Sequence, residues 1–258
     1  MPRFAANLTM LFNEVPFMER FAAARAAGFD AVEYLFPYDF AMEALAAELA
    51  KHSLKQVLFN LPAGNWASGE RGIASHPDRV GEFQEGVGRA IEYARALQCP
   101  QMNCLAGIAP QGVARERAEE TLVANLRFAA TRLKEAGLRL VIEPINHFDM
   151  PGFLLNTTRQ GLDIIARTGS DNVFIQYDIY HMQRMEGELA NTVKAHLPMI
   201  KHIQLADNPG RNEPGTGEIN YRFLFAHLDA IGYDGWVGCE YKPRTTTQAG
   251  LGWIEAHA

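Results

Sequence analysis

The chain has 258 residues, 48% of them hydrophobic and 21% charged, with a net charge of −6. That length and apolar content suit one domain with a sizeable core, and a single α/β barrel commonly needs about this much chain. The acidic balance argues against a nucleic-acid footprint, no apolar run approaches the ~20 residues of a membrane span, and MPRFAANLTMLF lacks the apolar core and cleavage site of a secretory signal.

In chain order, short apolar runs alternate with helical patterns. The first strand is expected over 4–7, ending at Asn7. In ARAAGFDAVEYL a helix ends, Gly28 caps it, and a second strand follows over 31–34; glycine suits the left-handed turn at a helix C-terminus. A third strand over 56–60 ends at Asn60. The stretch 61–79 is rich in Gly, Pro, Ser and Asn without periodicity; a loop that long is more often functional than idle, and closure over a ligand is one such role. Val80, Phe83, Val87, Ala90, Ile91 and Ala94 then recur three or four apart, as one face of a helix. Strand four, over 101–105, carries Asn103 and Cys104. Cys99, Cys104 and Cys239 have neither CxxC nor zinc-site spacing and read as reduced, buried thiols of a cytoplasmic protein.

Leu122, Leu126, Ala129 and Leu133 mark the next helix, and LKEAGLRLVIEP repeats the glycine-capped pattern into a fifth strand over 139–143. Further strands fall over 173–178, 202–206 and 235–240, the last in a third echo, LDAIGYDGWVGCEY, and a final helix covers 250–256. Strands alternating with helices imply βαβ units and a parallel sheet. Eight of them predict an α/β fold: one closed (β/α)8 TIM barrel spanning 1–258, with an open doubly wound sheet as the alternative.

In such a barrel the C-terminal strand ends share one face, and active sites sit there. The last four strands place Glu143, Asp178, Gln204 and Glu240 at those ends, spaced by 35, 26 and 36 residues. Any one acidic strand end is ordinarily a salt bridge or a solvated terminus. Three carboxylates at close quarters repel and raise one another's pKa, and a divalent cation resolves the conflict. If Gln204 turns its carbonyl inward, every donor is oxygen, which favours Mg²⁺ or Mn²⁺ over Zn²⁺. His181, three residues past Asp178, lies near enough to touch a substrate. His202 shares a face with Gln204 but lies one layer deeper, inside the barrel.

The residues MPRFAANLTMLF, AAGFDAVEYLFPY, VIEPIN, QYDIYHMQ, HIQLADNPGRNEPGTGEINY and GWVGCEYKP resemble the xylose-isomerase-like barrel superfamily, in particular its branch acting on hydroxypyruvate. The resemblance runs from first strand to last. It implies that Glu143 and Glu240 are metal ligands and the acid/base pair, that Asp178 and Gln204 complete the ligand set, and that His181 and Arg211 face the substrate. Gln204 stands where many sugar epimerase relatives have His, which makes the site harder. The implied reaction converts hydroxypyruvate to 2-hydroxy-3-oxopropanoate through an enediolate, with Arg211 and Lys242 as candidate partners for the substrate carboxylate.

Three other readings share the fold. One is an isomerase or epimerase of a longer 2-oxo acid (2-oxo-tetronate) or a ketose. Another is an apurinic endonuclease, which needs three zinc ions, several His ligands and a basic groove. The last is a sugar-binding barrel without catalysis. The expected partner is thus a small 2-oxo acid or sugar-like molecule, not nucleic acid or membrane. Trp66, Tyr221 and Trp253 either line an interface in a homo-oligomer or pack within the chain.

Overall fold

The computed structural model describes residues 2–256, so the ends of the expected 1–258 domain lie outside the described residues. Eight parallel strands close into a barrel in sequence order: β1 (Arg3–Asn7), β2 (Ala31–Glu33), β3 (Lys55–Asn60), β4 (Gln101–Cys104), β5 (Arg139–Ile142), β6 (Val173–Asp178), β7 (Ile200–Leu205) and β8 (Trp236–Cys239). β1 pairs with both β2 and β8, which excludes the open sheet. Around them run α1 (Arg20–Ala26), α2 (Met42–Lys51), α3 (Val80–Leu97), α4 (Arg115–Glu135), α5 (Thr158–Thr168), α6 (Ile179–Met185), α7 (Leu189–His196), α8 (Tyr221–Ala230) and α9 (Gly252–Ala256). No described helix is long and apolar enough to cross a membrane.

The helices form where the apolar spacing lies. On α4, Leu122, Leu126, Ala129 and Leu133 are fully buried, and on α3 so are Phe83, Val87, Ala90 and Ala94. Each fully buried Leu contributes roughly 2 kcal/mol. The three echoed glycines, Gly28, Gly137 and Gly232, all have positive φ (91°, 74° and 76°), the turn that ends a helix and launches the next strand. Cys99, Cys104 and Cys239 are buried and unpaired. Tyr221 and Trp253 are packed: Trp253 meets Phe4 edge-on at 5.0 Å. Trp66 is half-buried against Phe36.

The apolar core lies between strands and helices, whereas much of the barrel interior is polar. Gln56, Gln101, Gln176, His202 and Glu33 are all buried. His202 lies one layer below Gln204, as alternation requires, and its Nε2 is 2.6 Å from Glu33 Oε2. Strand register lines up the upper layer: Asn7 beside Glu33, Asn60 beside Asn103, Asp178 beside Gln204, and Gln204 beside Gly238.

Candidate active site

The C-terminal mouth holds a cavity of about 450 Å³. Glu143, Gln204, Glu240, His181, Arg211 and Lys242 line it, and Asp178 lies buried beneath. Ligand atoms of Glu143, Asp178, His181 and Glu240 fall within 4.8 Å of one another. The closed barrel thus brings together carboxylates from β6 and from the residues just beyond β5 and β8.

Each carboxylate is held by a different device. Asp178 caps α6: its Oδ1 accepts from the N–H groups of Tyr180 and His181 at 2.7 and 3.3 Å. Its Oδ2 is buried without a hydrogen-bond partner, which is costly unless a cation completes it. Asn103, at the end of β4, donates to Glu143 Oε2 at 3.1 Å and leaves Oε1 toward the site. Arg211 donates to Glu240 Oε2 at 2.6 Å and lies 3.9 Å from Asp178. Burial and the neighbouring Glu240 and Asp178 push Glu143 well above the ordinary carboxylate range. Burial raises Asp178 to about 6 and Glu240 to about 7, even against the pull of Arg211. Without a cation, all three carboxyls release their protons at higher pH than ordinary carboxylates do. The orphaned Asp178 oxygen and the all-oxygen carboxylate set fit a hard divalent ion.

His181 has a defined tautomer. Asn146 accepts the Asp149 N–H through its Oδ1, so its amide nitrogen faces His181 Nδ1 at 2.6 Å. Nδ1 therefore accepts and Nε2 carries the proton, 3.5 Å from Asp178 and 3.8 Å from Glu143. Burial, with Arg211 and Arg184 nearby, drives its pKa well below the usual imidazole value. A neutral ring with Nε2–H inward is a donor to a bound oxygen, so its place beside the acids serves a substrate contact better than ligation.

Gln204 is fixed at both ends: its Oε1 accepts from Gln176 at 2.6 Å and its Nε2 donates to Glu33 at 2.7 Å. One carbonyl lone pair remains for a cation. Glu33 is the residue that sequence reasoning missed. A second strand running to 34 hides Glu33 in its interior, whereas β2 ends at Glu33. An acid in the apolar run AVEYL was the available signal. Besides Gln204 and His202, Asn7 Nδ2 donates to Glu33 at 2.9 Å, and Asn7 also reaches Glu240 at 3.4 Å. Gly238 makes the space: a Cβ there would lie 2.3 Å from both Glu33 carboxylate oxygens.

The family profile described as xylose isomerase-like TIM barrel matches residues 21–257. The chain belongs to the xylose isomerase-like TIM barrel family. It is 56% identical to hydroxypyruvate isomerase of Escherichia coli (strain K12), over 100% of both chains. It is 48% identical to 2-oxo-tetronate isomerase of Cupriavidus necator, over 100% of this chain and 99% of that one. A crystal structure of a Brucella melitensis protein called AP endonuclease, family 2, superposes with a TM-score of 0.97 at 46% identity, over 100% and 99% of the two chains. Within this family, and with such full-length relatives, the chain is an isomerase.

The loop after β7 is organised by Asp207, which is buried and accepts four backbone N–H groups, those of Asn208, Gly215, Gly217 and Ile219. That loop delivers Arg211 inward at a φ of 54°. Burial alone would lower the Arg211 pKa, but Glu240, Asp178 and Glu143 raise it further. Lys242 is exposed on the rim and bonds back to Arg211 through its backbone N–H at 2.8 Å. The loop 61–79 also reaches the cavity, through Trp66 and Arg71.

Proposed function

We propose that the chain, as one cytoplasmic domain, interconverts hydroxypyruvate and 2-hydroxy-3-oxopropanoate, with a divalent cation, Mg²⁺ or Mn²⁺, held by Glu143, Asp178, Gln204 and Glu240. The observation that carries the chemistry is the buried carboxylate cluster with one Asp178 oxygen left unpartnered. The choice of substrate rests on the full-length 56% identity. When bound, such a cation polarises the carbonyl and stabilises charge on the substrate oxygens.

The chain's own groups move the protons. One of Glu143 and Glu240 takes a proton from C3, leaving an enediolate, and a glutamic acid returns a proton to C2. Arg211 fixes Glu240 Oε2 at 2.6 Å, which orients the carboxylate so that its other oxygen serves the proton transfer. Glu143 keeps Oε1 free of Asn103 for the same task. Neutral His181 offers its N–H to a substrate oxygen as charge moves between the two oxygens.

A longer 2-oxo acid is the second reading. The 48% identity to a 2-oxo-tetronate isomerase favours it, as does a cavity of about 450 Å³, roomy for three carbons. DNA chemistry, suggested by the Brucella relative's name, fits poorly with the net charge of −6 and with one His in the metal-capable group found among the described residues.

A proton NMR time course in D₂O tests the reading. Chelator-stripped protein restored with Mg²⁺ or Mn²⁺ should deuterate C3 of hydroxypyruvate and form the aldehyde. Glu143→Gln and Glu240→Gln should each abolish that exchange, a loss of at least about 10²-fold. Turnover confined to four-carbon 2-oxo acids or ketoses moves the substrate and keeps the mechanism. Retained exchange in both variants removes the two-glutamate mechanism.

A further inference from the structure

We infer that Arg71, in the loop between β3 and α3, is the group that takes the substrate's carboxylate and makes the site selective for 2-oxo acids over neutral ketoses. This rests on the reading of the substrate as a 2-oxo acid. A carboxylate entering this cavity meets Glu33, Glu143, Asp178 and Glu240, all buried. A cation is needed to offset that repulsion. Arg211 is already committed, at 2.6 Å from Glu240 and 3.9 Å from Asp178. Lys242 is exposed on the rim.

Arg71 is the remaining cation that lines the cavity, and among the described residues no carboxylate pairs with it. Its sequence neighbour Glu70 is taken by Arg79 at 2.6 Å. Arg71 Nη1 donates to the carbonyls of Trp66 and Glu70 at 3.1 and 2.8 Å, and its guanidinium lies 4.3 Å from the Trp66 ring centroid. Trp66 in turn packs on Phe36 at 5.1 Å. The plane of the guanidinium is therefore set while Nε and Nη2 stay uncommitted, the pair of donors that grips a carboxylate by two parallel bonds.

The loop that carries it is anchored rather than loose. Leu61 donates its N–H to Asn103 O at 2.8 Å, and Gly72 donates to Ala63 O at 3.0 Å. Gly72 has a φ of 118° and lies so close to the exit of β4 that a Cβ would stand 2.5 Å from Leu105 O. Arg71 is thus positioned one residue from a fixed point, and its stacking on Trp66 lowers the ordering cost of binding.

The experiment compares wild type with Arg71→Met, which keeps the stem but not the charge, and Arg71→Lys. Solvent exchange is followed on hydroxypyruvate and on dihydroxyacetone, which has the same reacting carbons and no carboxylate. Binding of glycerate is measured by calorimetry on each protein loaded with Mg²⁺. Loss of a charged bidentate contact should cut the ratio of kcat/KM for the acid over the neutral compound by about 100-fold, expressed in KM, with Arg71→Lys between. Glycerate should lose affinity in Arg71→Met by a similar factor. Equal loss on both compounds makes Arg71 a support of the loop and overturns the inference. Unchanged glycerate binding also overturns it, while wild-type exchange on hydroxypyruvate leaves the reaction itself standing. Arg71-dependent glycerate binding without any turnover of hydroxypyruvate sinks the proposed reaction and keeps the carboxylate site.

Discussion

Glu33 lies in the floor of the site, and its side chain is held by residues distant in sequence. Its partners Asn7, His202 and Gln204 are 26, 169 and 171 residues away. Gly238 gives it room by omission of a side chain. Gly238→Ala should therefore push the carboxylate out of three hydrogen bonds at once. We expect a loss of about 2 kcal/mol in urea unfolding, in the range of overpacked cores, together with weaker Mn²⁺ binding. In a Glu33→Ala background the same glycine change should cost little, because the two effects share one contact. Additive losses in the double variant would separate Gly238 from Glu33.

Among the elements, the loop between β7 and α8 carries the strongest local constraint. The sequence DNPGRNEPGTGEI reads as irregular, yet Asp207 gathers four of its backbone N–H groups onto one carboxylate. Arg211 reaches Glu240 from that scaffold. Asp207→Ala leaves four donors without their acceptor, so it should cost roughly 3 kcal/mol and lower C3 exchange as Arg211 loses its place. Asp207→Asn keeps one accepting oxygen and should fall between. Denaturation midpoints and exchange rates on the same samples check both; a destabilised Asp207→Ala with wild-type exchange would unlink the loop from the chemistry. The strands were legible in sequence because their signal is local: a capping glycine, an apolar run and a polar end. Strand limits moved by one or two residues. That shift mattered at β2, where ending at Glu33 rather than 34 turns an interior residue into a site residue.

For the whole molecule, the buried acids couple stability to pH in an unusual sense. Asp178 and Glu240 titrate near 3.8 and 4.5 ordinarily, but at about 6 and about 7 in the fold. Between those values the unfolded chain has released protons that the native, metal-free chain still holds. The native state then binds more protons, so these groups lower stability as pH rises from about 4 to about 7. Other carboxylates, such as Glu82 beside Arg79, act in the opposite direction. The comparison is therefore between wild type and Glu240→Gln, both stripped of metal. Wild type should lose stability relative to the variant by on the order of 2 kcal/mol across that window, and Mg²⁺ or Mn²⁺ should reverse the trend. Parallel pH curves for the two proteins would rule out a strained carboxylate at 240.

The sequence by itself determined the eight βα units and the polar residues at the ends of the last four strands. All of that follows from hydrophobic periodicity and from residue types that terminate helices, which act within one unit of chain. That the sheet closes into a barrel was settled by the pairing of β1 with β8. Only the tertiary structure decided which cation neutralises which acid, that Arg211 is spent on Glu240, that Arg71 and Glu33 belong to the site, and which nitrogen of His181 carries its proton. Those outcomes depend on hydrogen bonds and charge pairs between residues brought together by barrel closure, and no local pattern encodes such distances.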